Sequence, residues 1–167
     1  LSTTLKATVK RNGKIYFQEF SRGIPLAPVK EIGDTDSTGT EITFIPDSSI
    51  FITTEYKFDI LSSRLRELAF LNKGIKLQLT DKREKDSEGN FLSQVFLSQE
   101  GLKEFVAYLD ETREKLIDEC IHIETDKNDT PVEIAMQYNT SFSENIHSYV
   151  NNINTIEGGT HLVGFRR

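Results

Sequence analysis

The side chains best suited to chemistry in this 167-residue chain are three histidines, one cysteine and 26 acidic groups. Their spacing offers little. His122, His147 and His161 stand far apart, and none has the HExxH or CxxC companions that bring zinc ligands together. Cys120 lies just ahead of an apolar alternation with no base near it in sequence to generate a thiolate, so it reads as a small buried or half-buried side chain. There is no GxSxG, no Walker A loop and no GxGxxG, and no pair of carboxylates stands out from the rest. Two short stretches rise above this background. Thr38-Gly39-Thr40 opens a strand pattern behind an acidic, polar loop, and Glu157-Gly158-Gly159-Thr160-His161 leads into a helical pattern. Locally, the first is ordinary turn chemistry and the second a glycine turn with a threonine cap.

These groups must be positioned by a mixed set of elements. Leu5, Ala7 and Val9 alternate along a first strand, Asn12-Gly13 is a strong hairpin signal, and Ile15–Phe20 returns. Gly23, Pro25 and Pro28 mark an irregular crossing before Val29–Ile32 and a strand over 40–45. Phe58, Leu61, Leu65 and Leu68 recur at three- and four-residue steps and predict a helix over about 55–72, capped by Thr53 or Thr54 and closed by Gly74. A hairpin is expected from Ile75–Leu79 and Phe91–Phe96, with the charged stretch 81–88 at its tip. The pattern then changes, which places a domain boundary near Leu97–Gln99. Beyond it are expected a second helix over 102–109, paired strands over 121–125 and 132–138, a strand over 146–150 and a short final helix. The class is α+β. The chain opens inside a strand pattern without an initiator Met and ends two turns into a helix, so both ends are expected to fall within longer structural units.

Composition narrows the function classes. An apolar share of 37% with eleven Phe and five Tyr argues for a folded core. A net charge of −6 argues against non-specific DNA binding by this stretch alone, which needs clustered cations. A single cysteine suits a reducing compartment, hence the cytoplasm, and no segment approaches the length of a membrane-spanning helix.

Ordered along the chain are Arg11, Gly13-Lys14-Ile15-Tyr16, Gly23-Ile24-Pro25, Thr38-Gly39-Thr40, Arg64-Leu65-Arg66-Glu67-Leu68-Ala69-Phe70-Leu71-Asn72, Asp81-Lys82-Arg83, Tyr138-Asn139, Phe142-Ser143-Glu144-Asn145-Ile146, Ser148-Tyr149-Val150-Asn151-Asn152-Ile153 and Glu157-Gly158-Gly159-Thr160-His161. In this order and spacing the chain resembles the DNA gyrase B family along its whole length. The resemblance implies a partial two-layer α/β sandwich of the GHKL ATPase type, shared with Hsp90, histidine kinases and MutL, over residues 1–97. Residues 98–167 would begin a transducer domain that resembles part of ribosomal protein S5. It implies a parent protein that binds ATP and Mg2+, pairs with a second B subunit and with the gyrase A subunit, and passes DNA.

Carried over residue by residue, the resemblance implies that Thr40 bonds at the adenine through its hydroxyl and that Ile42 lines the pocket floor. Gly39 would permit close backbone approach, and Arg11 at the pocket mouth would stack on coumarin-type inhibitors. It assigns no contact to Asn145–His161, which reads as structural. The B subunit of topoisomerase IV and a non-enzymatic two-lobe binding module remain alternatives. In the family the catalytic glutamate, the magnesium-binding asparagine, the adenine-binding aspartate and the ATP lid precede the segment matching Leu1, and the γ-phosphate lysine comes after that matching Arg167. No catalytic or metal-binding residue is therefore assigned in this chain. The 167-residue chain alone is expected not to hydrolyse ATP, and turnover by a purified sample free of contaminating ATPase would contradict this.

Overall fold

The computed structural model describes residues 1–167. Asn12 and Gly13 take φ of +54° and +77°, the pair of left-handed conformations that a type I′ turn needs. The chain reverses there between β1 (Ser2–Arg11) and β2 (Lys14–Ser21). Two short strands, β3 (Ile24–Pro25) and β4 (Lys30–Asp34), pair with the far side of β2, and β5 (Gly39–Pro46) returns to pair with β1. All these pairings are antiparallel. The central strand β1 is thus bonded along both edges, while β5 has one free edge.

The end of β5 is fixed by Asp47, which is almost fully buried at 3% exposure. Its N–H donates to the Leu1 carbonyl at 3.1 Å, and its own carbonyl accepts the N–H groups of Ile50 and Phe51. One carboxylate oxygen accepts the N–H and hydroxyl of Ser49 at 2.9 and 2.7 Å, and the other faces Arg22 Nε at 3.1 Å. The hydroxyl and amide of Ser49 hold the Asp47 carboxyl below its ordinary range against the opposing effect of burial, and the Arg22 charge adds to this.

Packing divides the chain into two compact units, Leu1–Tyr56 and Lys57–Arg167. This division reflects contacts, whereas the expected boundary near residue 97 reflects a change in sequence pattern, and the two need not coincide. The first unit holds the five-stranded sheet and no helix, so many of its apolar side chains remain open, among them Ile24, Ile32, Ile42, Phe44 and Ile45.

The second unit begins with α1 (Phe58–Leu71). Its cap position is Lys57 with no side-chain cap. Thr53 instead accepts the N–H of Glu55 in a local turn, so the expected threonine cap is not made. The C-cap position of the helix is Asn72, and Gly74, two residues on at φ +80°, donates to the Ser98 carbonyl rather than to a carbonyl of the helix, so the expected glycine cap is not made. Next comes the hairpin of β6 (Leu77–Lys85) and β7 (Phe91–Phe96), with β6 running into the charged tip through a register shift after Asp81. Then come α2 (Leu102–Leu109) and the hairpin of β8 (Ile121–Lys127) and β9 (Thr130–Met136).

The strand expected over 146–150 is reduced to β10 (Tyr149–Val150), which turns back into β11 (Ile153–Asn154). Past its end, Asn151-Asn152, at φ +50° and +63°, make the tight turn into β11, a conformation that asparagine tolerates. The last helix, α3 (Thr160–Phe165), has Gly159 rather than Thr160 at its cap position.

Ala69, Phe96 and Phe105 are the buried apolar residues of this unit. Phe105 stacks on Phe70 with ring centroids 5.2 Å apart. Arg66 lies over the Phe96 and Tyr108 rings at 5.8 and 5.1 Å and donates to the Tyr108 oxygen, so its charge covers the aromatic cluster.

The depressed Asp47 value fixes the sign of a pH effect. Its stabilising contribution is present above the unfolded-state pKa of about 4 and is lost as pH falls through the lower folded-state value. Melting temperature is expected to fall between pH 6 and pH 3, and Asp47→Asn is expected to start lower and lose less over that range. Parallel thermal melts of the two proteins check this.

Candidate functional site

Register decides which of the candidate side chains meet. On β5, Thr40 stands opposite Val9 and Ile42 opposite Ala7. Val9 and Ala7 in turn face Tyr16 and Gln18 on β2. Because side chains alternate along a strand, Thr40, Ile42 and Phe44 share one face with Leu5, Ala7, Val9 and Arg11. Arg11 closes that row at the hairpin end, two residues beyond the partner of Thr40. Gly39 pairs with Lys10 on the other parity, and a Cβ there would meet nothing within 4 Å. Nothing inside the chain therefore demands glycine at that position.

The strip formed by Arg11, Thr40 and Ile42 is open. Ile42 is 51% exposed and Phe44 is 50% exposed, with the Phe44 ring edge-on to Tyr56 at 6.4 Å. No hydrogen bond or ion pair within the chain engages the Thr40 hydroxyl or the Arg11 guanidinium. The residue opposite Arg11 is Lys14, and like charges facing each other across strands repel. Lys14 is drawn the other way, to Glu31 at 2.7 Å and Asp34 at 2.8 Å on β4. The hydrogen bonds to Asp34 and Glu31 and the Glu31 charge raise its pKa above the ordinary lysine value. Arg11 is left as an uncommitted planar cation beside a hydroxyl and an apolar patch. Such a surface suits one face of a flat, hydrogen-bonding ring system. It carries no candidate base, and no group of three or more His, Cys, Asp or Glu side chains could hold a metal.

The residues that sequence reasoning left without a contact form a second constellation, in the Lys57–Arg167 unit. Glu67 on α1 accepts the Tyr149 hydroxyl and pairs with Arg64. Arg64 also donates to the Asn152 carbonyl at 3.2 Å, and the Asn152 amide donates to Asn72 Oδ1 at 2.8 Å. Burial pushes the Glu67 carboxyl up, but the Tyr149 and Arg64 hydrogen bonds outweigh it and hold the group below its ordinary value. Burial, reinforced by Glu67, pushes the Tyr149 hydroxyl well above the ordinary tyrosine value. A cavity of about 360 Å3 is bordered by Arg64, Arg66, Glu67, Tyr108 and His147, and it includes none of the four candidates from the sequence. The sequence did carry a signal for this constellation, namely the three-residue spacing of Arg64 and Glu67 and the Asn151-Asn152 turn.

The remaining candidate groups are structural in their surroundings. Cys120 is half-buried, with its thiol toward the Ile121 carbonyl. His122 meets Glu133 across the β8–β9 ladder at 2.9 Å, and Lys73 pairs with the same carboxylate. His147 lies outside any strand, against the Phe105 ring at 5.9 Å.

Known proteins are similar to this chain in sequence and in fold. The sequence model of the family described as DNA gyrase B matches residues 101–167. The whole chain is 57% identical to the B subunit of DNA gyrase from Cytophaga hutchinsonii, of which it covers 35%. Over 99% of its length it is 51% identical to the B subunit of DNA gyrase from Halalkalibacterium halodurans, of which it covers 25%. The chain thus spans about a third of the length of the curated relatives it matches. A crystal structure of the 43K ATPase domain of Thermus thermophilus gyrase B in complex with an aminocoumarin is similar with a TM-score of 0.83 at 32% identity. That match covers 99% of this chain and 44% of the Thermus chain.

Because Thr40 and Arg11 make no internal bonds, Thr40→Val and Arg11→Ala are each expected to change unfolding free energy by no more than about 0.5 kcal/mol. Chemical denaturation of the two variants measures this.

Proposed function

The chain belongs to the DNA gyrase B family, and on that premise we propose that it is a stretch of the ATP-hydrolysing subunit of a bacterial type II topoisomerase. The parent protein couples ATP hydrolysis to DNA strand passage and negative supercoiling. It works in the cytoplasm with a second B subunit, the gyrase A subunit and DNA. The observation that carries this reading is a single one: identity of 57% to a gyrase B relative runs through the whole chain, including both the sheet that holds Thr40 and the hairpin that holds Tyr149.

Within that reading, residues 1–97 belong to the GHKL-type ATPase domain and residues 98–167 to the transducer. The start of the family match at Gly101, just past the change of pattern at Ser98, supports this. The strip on β1 and β5 then forms one wall of the nucleotide pocket. Thr40 offers a hydroxyl that donates and accepts at once, suited to the edge of an adenine ring. Ile42 supplies an apolar floor, and Gly39 lets the backbone approach the base. Arg11 sits at the mouth, where a planar guanidinium stacks on a coumarin ring. That the Thermus relative is in complex with an aminocoumarin supports a ligand of this class, and the role of Arg11 in holding it is part of the proposal.

The general base, the magnesium ligands and the γ-phosphate contact are not assigned to this chain. When bound, the metal would neutralise phosphate charge. The residues present here bind and orient the adenine, and exclude water from one side of it.

The test uses the full-length B subunit. With its A subunit it is expected to supercoil relaxed plasmid in an ATP-dependent manner. Relaxation or decatenation without supercoiling would favour topoisomerase IV instead. A neutral hydrogen bond is worth about 1 kcal/mol and a charged one about 1.5–3 kcal/mol. Thr40→Val is therefore expected to weaken ATP binding by roughly 3- to 10-fold, and Arg11→Ala to weaken aminocoumarin binding by roughly 10- to 100-fold. Unchanged affinities in titration calorimetry would remove both residues from the pocket.

A further inference from the structure

The Asn145–His161 segment takes no part in the proposed pocket, yet its contacts are specific. The β10–β11 hairpin has two residues per strand and pairs with no other strand. A two-stranded hairpin of that size is not stable by itself, so its place in the fold depends on what else holds it. Three points along α1 and its C-cap do so. Arg64 donates to the Asn152 carbonyl at 3.2 Å, Glu67 accepts the Tyr149 hydroxyl, and Asn72 accepts the Asn152 amide at 2.8 Å. Asn72 is itself oriented, since its own amide donates to the Leu68 carbonyl at 2.7 Å.

The other end of the hairpin is tied onward. The Thr155 N–H donates to the Ser148 carbonyl at 2.8 Å. The Ser148 and Thr155 hydroxyls lie 2.6 Å apart, and the Thr155 hydroxyl meets His161 Nε2, in the first turn of α3, at 3.2 Å. The hairpin is therefore held by two sets of polar contacts, one to α1 through Tyr149 and Asn152 and one to α3 through Ser148 and Thr155, joined by its own backbone.

We infer that Arg64, Glu67, Asn72, Tyr149 and Asn152 are positioning residues that clamp the β10–β11 hairpin to α1 and, through Ser148, Thr155 and His161, fix where α3 begins. The inference rests on the proposed function in one respect, the claim that this placement serves the coupling of ATP turnover to supercoiling. The clamp itself is a statement about geometry and stands separately. Glu67 and Tyr149 are the central pair, because the phenol donates to a carboxylate that is half-buried and already paired with Arg64.

The test compares full-length B subunit carrying Tyr149→Phe, or Tyr149→Phe with Asn152→Gly, against the unmodified protein. Phe removes one oxygen and keeps the ring on Phe105, 6.3 Å away. Gly keeps the positive φ of residue 152 while removing the amide. Hydrogen exchange across residues 149–165 is expected to accelerate at least tenfold in the double variant and less in the single one, with β8–β9 unchanged. ATP turnover without DNA is expected to stay within twofold of the unmodified protein, while supercoils introduced per ATP, measured with the A subunit, fall at least fivefold. Unchanged exchange over 149–165 would overturn the clamp. Faster exchange with an unchanged supercoil-to-ATP ratio would overturn the positioning role and leave only a structural one. If the unmodified protein lacks ATP turnover, the proposed function fails on that result, and the exchange measurement still decides the clamp.

Discussion

The antiparallel register of β1 with both of its neighbours is the constraint on which the candidate pocket depends. A shift of one residue along the β1–β5 ladder would send Thr40 and Ile42 to the opposite face from Val9 and Arg11. Each of the two registers is held at one end of β1. At one end, the Asn12-Gly13 turn fixes the pairing of β1 with β2. At the other, Asp47 joins the end of β5 to Leu1, Ser49 and Arg22 through a buried carboxylate and its backbone. Slippage would break the bond to Leu1 and draw the buried carboxylate away from Arg22, leaving it with Ser49 alone, and weakening the pairing of a buried charge costs more than losing one ladder bond.

The same unit leaves the proposed pocket strip open. A wall that binds a ligand cannot also satisfy its own polar groups internally, and the lack of internal partners for Thr40 and Arg11 fits that requirement. Lys14 shows the contrast. It sits directly opposite Arg11 but is committed to Glu31 and Asp34, which leaves the guanidinium as the uncommitted cation at that end of the face.

The second unit is organised around the two edges of α1. One edge is aromatic and packs Phe70 onto Phe105 and Tyr108, with the Arg66 guanidinium over Phe96 and Tyr108. The other edge is polar and presents Arg64, Glu67 and Asn72 to the β10–β11 hairpin. Apolar burial sets the distance between α1 and α2, while directional hydrogen bonds set the orientation of a hairpin too small to choose its own. The Arg-Leu-Arg-Glu-Leu run and the Ser-Tyr-Val-Asn-Asn run, separate stretches in the sequence, are two sides of one contact.

The sequence by itself determined the features that local physics controls. The Asn12-Gly13 turn, the alternation of β1, the leucine stripe of α1, the α+β class and the family resemblance were all legible, because each depends on neighbours within a few residues or on ordered motifs. Where local signals competed, they misled. Thr53 took a turn instead of a helix cap, and the alternation over 146–150 gave only the two-residue strand Tyr149–Val150. Only the tertiary structure decided which residues share a face and which distant groups meet. Thr40 joins Arg11 through strand register, and Tyr149 joins Glu67 across 82 positions. Those outcomes depend on pairings between remote parts of the chain, and no periodicity within either part encodes which partner the other will supply.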